Sequence, residues 1–418
     1  MSILPSTRAN LERFWSTIEA SAQIGVGRPG GLARLTLSDD DRTMRDLFIE
    51  WCRAANLNVE VDELGNIFAR RDGQDNALPP ILVGSHLDTQ INGGRFDGIA
   101  GVLAGLELVR TLDDAGHTTK RPIVVVNWTN EEGARFSPPM VASGCYVGKH
   151  SPEWVYQLVG DDGALFGAEL ERIGYKGARP CTAGPIDAYY ELHIEQGPIL
   201  DVEGRDVGIV TGSYTSHGMR ATFSGRTAHT GPTPMDLRQN ALAAGARWLT
   251  AVDDIGWDFA VHDGKATAAR LTAWPNKAGI LSDSAEAVCD VRHPDPATTK
   301  VMAEKMRRAL FESAARAGCT AHIEDEWHFG GDIFDATLVD GLRSQAERMG
   351  YNWRDIDSQA GHDAYNLASH CPTAMIFTPC RDGITHNNEE SCEPRDFEAG
   401  LNILLHAVVA RADRPQAQ

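Results

Sequence analysis

Hydrophobic residues follow two different patterns along the first half of the chain, and these patterns predict alternating helices and strands. From residue 8 to about residue 56 the apolar positions recur with a helical period. A strand and a turn are predicted next, in LNVEVDELGNIFARRDG. Three more strand-like segments are PPILVGSH, RPIVVVNWTN and AYYELHIEQG, and the first two are apolar on consecutive residues, as in strands covered on both faces. Because the helical segment GIAGVLAGLELVRTL lies between those two, an α/β layered domain is predicted.

The pattern changes after the segment GIVTG, which ends at Gly212. A strand, GMRATFSG, is followed by a helix from about Asp236 to Val252, two alternating segments, a helix from Pro296 to about Ala317 and the strand TAHIEDEWHF. This β-α-β-β-α-β order is typical of a ferredoxin-like unit. From about residue 330 the earlier alternation resumes, with TAMIFTP as a further buried strand. We therefore predict one domain of residues 1–212 and 330–418 and an inserted α+β unit of residues 213–329.

Composition narrows the class of protein. A chain of 418 residues favours two domains over one. Its formal charge of −19 repels a phosphate backbone, so no nucleic acid partner is expected. The eight cysteines are scattered without a CxxC motif, which argues against a disulfide framework or a four-cysteine zinc site. No signal peptide pattern or membrane-spanning apolar run is visible, so a cytoplasmic location without a membrane partner is expected.

Polar side chains follow the buried strands at the points where the strands end. In open α/β sheets ligands bind at the carboxyl edge, so these side chains are expected to meet there. A lone histidine at a strand end is more often structural than a ligand, and GGRFDG alone fits a tight turn. The succession of HLD, FDG, NEEG and HIEQG, however, indicates a two-metal hydrolase. The residues concerned are His86, Asp88, Asp97, Glu131, Glu132, His193, Gln196 and His386.

A two-metal hydrolase needs a particular set of side chains. Two divalent cations about 3.5–4 Å apart require a bridging carboxylate, terminal imidazole and carboxylate ligands, and an open place for water. Asp97 is the predicted bridge. His86 and His193 are predicted to bind one cation, and Glu132 and His386 the other.

Two neighbouring carboxylates are predicted to support this centre. Asp88, two residues beyond His86 and on the same side of an extended chain, is expected to hold the imidazole from behind. Glu131 precedes Glu132 and points in a different direction from it. Glu131 is therefore the predicted general base, which takes a proton from metal-activated water and passes it to the leaving nitrogen.

Motifs along nearly the whole chain resemble one enzyme family. They are GSHLDT, GGRFDGIAGVLAGLE, TNEEGARF, HIEQGPILD, SGRTAHTGPTPMDLRQNAL, DVRHPD, AGHDA and GITHN. The set is similar to that of the metal-dependent N-carbamoyl amino acid amidohydrolases, which include L-carbamoylase, β-ureidopropionase and allantoate amidohydrolase and are related to aminoacylases and carboxypeptidases. The resemblance implies the ligands and the base named above, and two divalent ions per subunit (Zn²⁺, or Mn²⁺, Co²⁺ or Ni²⁺). It also implies a peptidase-like mixed sheet between helices, and an inserted lid that makes a homodimer contact.

The resemblance further implies roles for polar residues outside the ligand set. Gln196 would contact the substrate near the metals. His229, in RTAHTGPTPM, would reach the active site of the partner subunit and stabilise the oxyanion of the tetrahedral intermediate. Arg292, in DVRHPD, would bind the substrate carboxylate with its planar fork, although an arginine alone is more often a surface charge.

Several positions depart from the family pattern, and they concern the tail of the substrate. Gly279 stands where relatives carry the asparagine of NxxPG, and Asn276, three residues earlier, is a candidate substitute for substrate binding. Gln359 replaces the usual glycine before AGHDA, and Ser216 and His217 lie in an altered lid entry. These changes leave the predicted metal chemistry intact and the identity of the substrate open.

Three functions follow from these observations. The first is hydrolysis of an N-carbamoyl (ureido) amino acid to the amino acid, carbon dioxide and ammonia. The second keeps the same site and hydrolyses another N-acyl amino acid or a dipeptide. The third, a binding protein that has lost its chemistry, is disfavoured because Glu131 and all five predicted ligands are present. His362 and Asp363 of AGHDA are expected to support the ligands or the packing, since the ligand set is complete without them.

Overall fold

The computed structural model describes residues 3–415 and divides the chain into two units. One unit consists of the chain up to Thr211 and from Phe334 onward, and the other is Gly212–Ile333. These divisions fall within four residues of the predicted boundaries, 213 and 329. Within residues 3–415, no helix combines the length and apolar character needed to cross a membrane.

Helices and strands alternate along the first unit and form a compact set in the second. The α-helices are α1 (Leu11–Ser21), α2 (Asp39–Ala54), α3 (Ile99–Asp114), α4 (Val141–Tyr146), α5 (Pro152–Tyr156), α6 (Phe166–Arg172), α7 (Ile199–Glu203), α8 (Ala241–Phe259), α9 (Pro296–Arg316), α10 (Ala336–Met349), α11 (Asp363–Ala368) and α12 (Glu398–Ala412). The strands are β1 (Asn58–Val61), β2 (Ile67–Arg71), β3 (Ile81–His86), β4 (Ile123–Trp128), β5 (Ala188–Ile194), β6 (Val207–Ser213), β7 (Thr215–Ser224), β8 (Lys265–Trp274), β9 (Ser284–His293), β10 (Thr320–Gly330), β11 (Trp353–Ser358) and β12 (Thr373–Thr378). Short 3₁₀ helices occupy Met235–Leu237, Ala260–His262, Arg381–Gly383 and Pro394–Phe397.

The first unit is built on an eight-stranded mixed sheet with the order β1-β2-β4-β3-β5-β12-β6-β11. Its central strands β4, β3, β5 and β12 are parallel to one another, whereas β2 runs antiparallel to β1 and β4, and β6 runs antiparallel to β12. Every residue of the four central strands is buried, so both faces of the sheet are covered, as the consecutive apolar residues predict. Because β3, β4 and β5 are parallel, their carboxyl ends lie at one edge of the sheet.

The helical period predicted from residue 8 to about residue 56 is interrupted, which corrects that prediction. Helix α1 ends at Ser21 and α2 begins at Asp39, and a segment rich in glycine lies between them. Glycine and proline favour turns over helix, and this segment pairs instead with the loop after β3. Leu32 and Gly93 exchange two backbone hydrogen bonds of 2.9 Å, and the Thr89 N–H donates to the Arg34 carbonyl.

The second unit has the predicted ferredoxin-like topology. Its four-stranded sheet has the order β10-β7-β9-β8, with antiparallel pairs throughout, and α8 and α9 pack on it. Trp248 of α8 is fully buried and donates to the Met306 carbonyl of α9 over 3.0 Å. Helix α8 begins at Ala241 rather than at about Asp236, because a 3₁₀ turn occupies the preceding residues after Pro234.

Candidate metal centre

Five of the predicted site residues form two groups of metal-binding atoms at the carboxyl edge of the central strands. In the first group, Asp97 Oδ1 lies 3.7 Å from His86 Nε2 and 3.2 Å from His193 Nε2. In the second, His386 Nε2 lies 3.3 Å from Asp97 Oδ2 and 3.4 Å from Glu132 Oε2. The ligand atoms of each group lie within 4.8 Å of one another. The two groups share Asp97, which is the predicted bridge; that they bind metal stays a prediction.

The donor atoms fit divalent transition metals. Three imidazole nitrogens and two carboxylates are the mixture that Zn²⁺, Mn²⁺, Co²⁺ and Ni²⁺ accept. The first group is closed off by protein, since the side chains of His86 and His193 are at most 1% exposed. The second group is open, because the His386 side chain is 45% exposed. A small molecule would therefore approach from the side of His386.

Glycine at two positions of the GGRFDGIAG loop allows the histidines to come close. A Cβ on Gly98 would lie 2.2 Å from atoms of the His86 ring, and the φ of Gly98 is +67°. The Gly98 N–H also points to His193 Nε2 at 3.2 Å. A Cβ on Gly101 would lie 2.4 Å from the Leu192 carbonyl oxygen of β5. Any larger residue at these positions would push α3 and the Asp97 loop away from the sheet.

Hydrogen bonds at Nδ1 set the tautomers of the two buried histidines. His86 Nδ1 donates to the Asp88 carbonyl and His193 Nδ1 to the Ile194 carbonyl, each over 2.9 Å. A proton fixed on Nδ1 leaves Nε2 as the atom that faces Asp97. This is the arrangement required if Nε2 is to bind a cation.

The predicted role of the Asp88 carboxylate is wrong in its detail. That carboxylate lies 3.8 Å from His86 Nδ1, and it is the main-chain carbonyl of Asp88 that holds the imidazole. Strand β3 ends at His86, so the strand alternation on which the prediction relied does not extend to Asp88. The carboxylate instead accepts hydrogen bonds from the backbone N–H groups of Glu131 (3.4 Å) and Glu132 (3.3 Å) and from the Thr36 hydroxyl (2.7 Å). Asp88 therefore joins the end of β3 to the loop after β4.

Glu131, the predicted general base, lies beside the first group. Its Oε2 is 3.5 Å from His86 Nε2, and the residue is 6% exposed. Burial and the nearby charges of Asp363 and Glu132 raise its pKa well above the usual value. Glu132, its neighbour, receives hydrogen bonds from the backbone N–H and the side-chain amide of Gln90, at 3.1 and 2.9 Å. The two adjacent carboxylates thus face different surroundings, as predicted.

Several ionisable side chains lie close together at this centre and shift one another's pKa. Burial favours the neutral form of His193 and of His386, but hydrogen bonds to Asp97 outweigh it and raise the pKa of each to about 9. Burial likewise disfavours the Asp97 anion, yet the same two hydrogen bonds hold its pKa well below the usual value. Burial and the Asp97 charge raise the pKa of Glu132 to about 8. Cations at the two groups would replace the imidazole protons and neutralise this charge.

Backbone strain coincides with the site. Asn130, Gln196 and His386 have φ values of +61°, +60° and +51°, in the left-handed region that non-glycine residues seldom adopt. Such strain persists only where surrounding structure imposes it, and it concentrates at functional sites. Asn130 directly precedes Glu131, and its side-chain amide is held by the Phe136 carbonyl at 2.8 Å.

Gln196 and His362 contact different members of the predicted ligand set. Gln196 Nε2 donates to Asp97 Oδ2 over 2.8 Å and lies 3.5 Å from His386 Nε2, at the open side. His362 packs behind His193, with ring centroids 4.5 Å apart. Glu191 lies with these two rings within metal-binding distance. Its oxygens, however, accept hydrogen bonds from the side chains of Ser85 and Tyr189 and the backbone N–H of Ala364. We therefore interpret this third group as structural support for the predicted ligands and not as a metal site.

Three predicted residues belong to the second unit. His229 is exposed, and its Nδ1 accepts a hydrogen bond from the Gly231 N–H. Asn276 is exposed on the turn after β8. Arg292 donates to Asp290 over 3.0 Å and lies over the Phe329 ring. The structure does not test their roles toward a substrate, which stay predictions.

Sequence reasoning missed three residues that contact the ligands. They are Gln90, Thr385 and Glu390, which hydrogen-bond to Glu132, to the Asp97 carboxylate and to the Asp97 backbone, respectively. Burial and the Asp97 charge raise the pKa of Glu390 to about 7. The only signal for these residues was their place beside motif histidines, in HLDTQ and THNNEE.

The fold and the donor set are those of a peptidase-like hydrolase, and comparison with known proteins agrees. The sequence model of Peptidase family M20/M25/M40 matches residues 82–410, so the chain belongs to this family. It is 42% identical over 406 residues to an N-carbamoyl-L-amino-acid amidohydrolase from Rhizobium meliloti, covering 97% of both chains. It is 29% identical to an allantoate amidohydrolase from Bacillus subtilis, covering 93% of this chain and 94% of the relative.

Solved structures show the same likeness. A crystal structure of an amidase of the hydantoinase/carbamoylase family from Burkholderia vietnamiensis matches with a TM-score of 0.94 and 42% identity, covering 99% of this chain and 100% of that one. These likenesses confirm the predicted family, the predicted fold class and the predicted class of enzyme, an amidohydrolase.

The shared carboxylate predicts how single substitutions change metal content. His86→Ala and His386→Ala should each lower bound Zn²⁺ or Mn²⁺ from about two ions to about one per chain, and Asp97→Ala should abolish both, because only Asp97 serves both groups. Elemental analysis after dialysis against a buffered concentration of free metal measures this. The exposed His370, which contacts the Gly184 carbonyl, provides His370→Ala as a control that keeps both ions. Equal metal content in all four variants would contradict the assignment.

Proposed function

We propose that this chain is a metal-dependent amidohydrolase that cleaves the carbamoyl C–N bond of an N-carbamoyl amino acid. The reaction consumes one water and yields the amino acid, carbon dioxide and ammonia, which accounts for every atom of the ureido group. The observation that carries the proposal is the pair of ligand groups sharing Asp97, with Glu131 beside them. Similarity over nearly the full length to N-carbamoyl-L-amino-acid amidohydrolases supports the substrate class.

Two divalent cations would be held by the two groups. His86, Asp97 and His193 would bind one, and Asp97 with Glu132 and His386 the other. When bound, such cations polarise a carbonyl oxygen and lower the pKa of a nearby water molecule. The protein fixes the ligands beforehand, through the Nδ1 hydrogen bonds of the histidines and the two bonds from Gln90 to Glu132.

Glu131 would be the general base that transfers a proton during the reaction. Its position 3.5 Å from His86 Nε2 places its carboxylate at the edge of the first group. Burial and the neighbouring carboxylates favour its protonated form by raising its pKa, and cations nearby would favour its ionised form. These opposing influences suit a group that takes a proton from water and later gives it to the leaving nitrogen. The Asp88 carboxylate, through the Glu131 N–H, would keep this loop in place.

Gln196 would bind the ureido group. Its Oε1 is buried and has no hydrogen-bond partner among residues 3–415. An unpaired buried acceptor costs free energy that a donor from a ligand would recover, and the carbamoyl NH₂ is such a donor. Arg292 would bind the substrate carboxylate, since its guanidinium is oriented by Asp290 and by the Phe329 ring. Asn276 would add a polar contact near the substrate tail.

The second unit would form a homodimer, with His229 of one subunit acting in the active site of the other. Its surface carries exposed apolar side chains that a partner would cover, among them Met235, Leu237, Trp257, Val261 and Trp274. Strand β8 is the edge of the four-stranded sheet and is largely exposed, which leaves backbone groups open to pairing.

A second candidate function is favoured by one position. Gly279 has φ +88° and a Cβ there would meet nothing within 4 Å, where relatives place the side chain of an asparagine. The space left by the absent side chain at the substrate tail would suit another N-acyl amino acid or a dipeptide, with the same metal chemistry.

A substrate panel separates the two candidates. We expect ammonia release from N-carbamoyl amino acids, loss of this activity after chelation, and its return with Zn²⁺, Mn²⁺, Co²⁺ or Ni²⁺. N-formyl and N-acetyl amino acids and dipeptides, assayed for free amine, should react more slowly. Turnover of acyl compounds without any ammonia from carbamoyl compounds would establish the second candidate. Full activity of metal-free protein would overturn both.

Replacement of the proposed base separates chemistry from binding. Glu131→Gln should keep both cations and lower kcat by about 10²–10⁴-fold, because the amide cannot accept the proton. Steady-state kinetics and elemental analysis of the same preparation measure the two effects. An unchanged kcat would remove Glu131 from the mechanism.

Mixed dimers test the role of His229. Glu131→Gln and His229→Ala should each be nearly inactive as homodimers. After unfolding and refolding of an equal mixture, action across the interface predicts about one quarter of wild-type activity, since half the dimers are mixed and each has one intact site. Action within a single subunit predicts no recovery. Size-exclusion chromatography with light scattering confirms that dimers have formed.

A further inference from the structure

We propose that Glu390 is a positioning residue of the metal centre: its buried carboxylate ties the loop that carries Asp97 to the loop that carries His386. In this way it would set the spacing between the bridging ligand and the outer ligand. The inference rests on the proposed function, because it assumes that these residues bind cations.

The Glu390 carboxylate is fully engaged by these two loops. Its Oε1 accepts hydrogen bonds from the backbone N–H groups of Phe96 (2.8 Å) and Asp97 (3.3 Å). Its Oε2 accepts one from the Thr385 hydroxyl at 3.0 Å. The residue is 2% exposed, so these bonds are shielded from water and hold the loops firmly.

Thr385 extends this contact to the bridging carboxylate itself. Its hydroxyl oxygen lies 3.0 Å from Asp97 Oδ2 as well as 3.0 Å from Glu390 Oε2. Asp97 Oδ2 is also the oxygen that faces His386 Nε2. Glu390 thus binds the backbone of Asp97 directly, and it shares the single Thr385 hydroxyl proton with the Asp97 side chain, on the side that belongs to the second group.

The two loops are remote in sequence, so their distance is fixed by tertiary contacts such as those of Glu390 and Thr385. Asp97 and Glu390 are 293 residues apart, whereas Glu390 follows His386 by only four. The His386 loop is closed at its base by a hydrogen bond from the Arg381 N–H to the Ser391 carbonyl. Within that loop, the Glu390 N–H donates to the Asn387 carbonyl. A shift of the Glu390 carboxylate would therefore move His386 relative to Asp97.

Gly94 provides an independent means of moving this carboxylate. A Cβ on Gly94 would lie 1.9 Å from Glu390 Cδ and 2.0 Å from its Oε1. The φ of Gly94 is not in the left-handed region, and the three atoms nearest to the added Cβ all belong to the Glu390 carboxylate. Gly94→Ala should thus displace Glu390 without altering any ligand.

The experiment combines these two positions in a double-mutant cycle. We expect Glu390→Ala and Gly94→Ala each to weaken binding of a cation by about 10–100-fold, as loss of a residue supporting a ligand commonly does, and to lower kcat with little change in KM. The double variant should be no worse than Glu390→Ala alone, because the new methyl group then fills vacated space. Glu390→Gln keeps an acceptor for the two N–H groups and donates to Thr385, and should stay within about threefold of wild type.

Binding is measured by calorimetric titration of metal-free protein with Zn²⁺ or Mn²⁺, and folding by circular dichroism. Matched controls are Glu389→Ala, the exposed neighbour, and Gly184→Ala, where a Cβ meets nothing within 4 Å. A purely structural role would lower the melting temperature but leave cation affinity and kcat unchanged, and that result would overturn the inference. If Glu390→Ala does not fold, Gly94→Ala and Glu390→Gln decide: wild-type affinity in Gly94→Ala overturns it. Wild-type protein that binds no cation would instead refute the proposed function, and this inference with it.

Discussion

The Asp97 carboxylate, placed between three imidazoles, is the interaction on which the site depends. One of its oxygens faces the buried His86 and His193, and the other faces the exposed His386. Hydrogen bonds to two of these rings outweigh the cost of burying the anion, so Asp97 remains ionised. Under the proposed function, a buried anion that faces ring nitrogens on both sides would serve two cations at once. Such a shared ligand would distinguish the centre from a single structural metal site.

The fold supplies this arrangement through its parallel strands. Strands β3 and β5 are buried on both faces and end at the same edge of the sheet, which brings His86 and His193 together. Glycine at position 98 then lets the Asp97 loop pass directly over the His86 ring. The Asp88 carboxylate joins the end of β3 to the loop after β4, because it accepts hydrogen bonds from the backbone N–H groups of Glu131, the proposed base, and Glu132, a proposed ligand. The scaffold therefore fixes distances before any ligand binds.

The meeting of the predicted ligand side chains could be predicted from sequence because it follows one topological rule, that strand ends of a parallel sheet share an edge, whereas their binding of metal stays a prediction. Details that depend on the direction of a side chain could not be predicted from sequence. The His86 ring donates to the main-chain carbonyl of Asp88 rather than to its carboxylate, because β3 ends at His86 and its alternation does not extend to Asp88. Glu390 meets the Asp97 loop across 293 residues, and no local pattern indicates such a pair. The segment between α1 and α2 is irregular because its backbone pairs with the loop after β3, a tertiary contact that overrides the helical period.

We propose that one carboxylate, that of Asp97, joins two cations. The most direct test is a crystal structure of the wild-type protein grown with Zn²⁺ or Mn²⁺, with anomalous diffraction recorded at the absorption edge of the metal. We predict two anomalous peaks about 3.5–4 Å apart, with one oxygen of Asp97 directed at each. A single peak, or two peaks whose ligands do not include Asp97, would contradict the account.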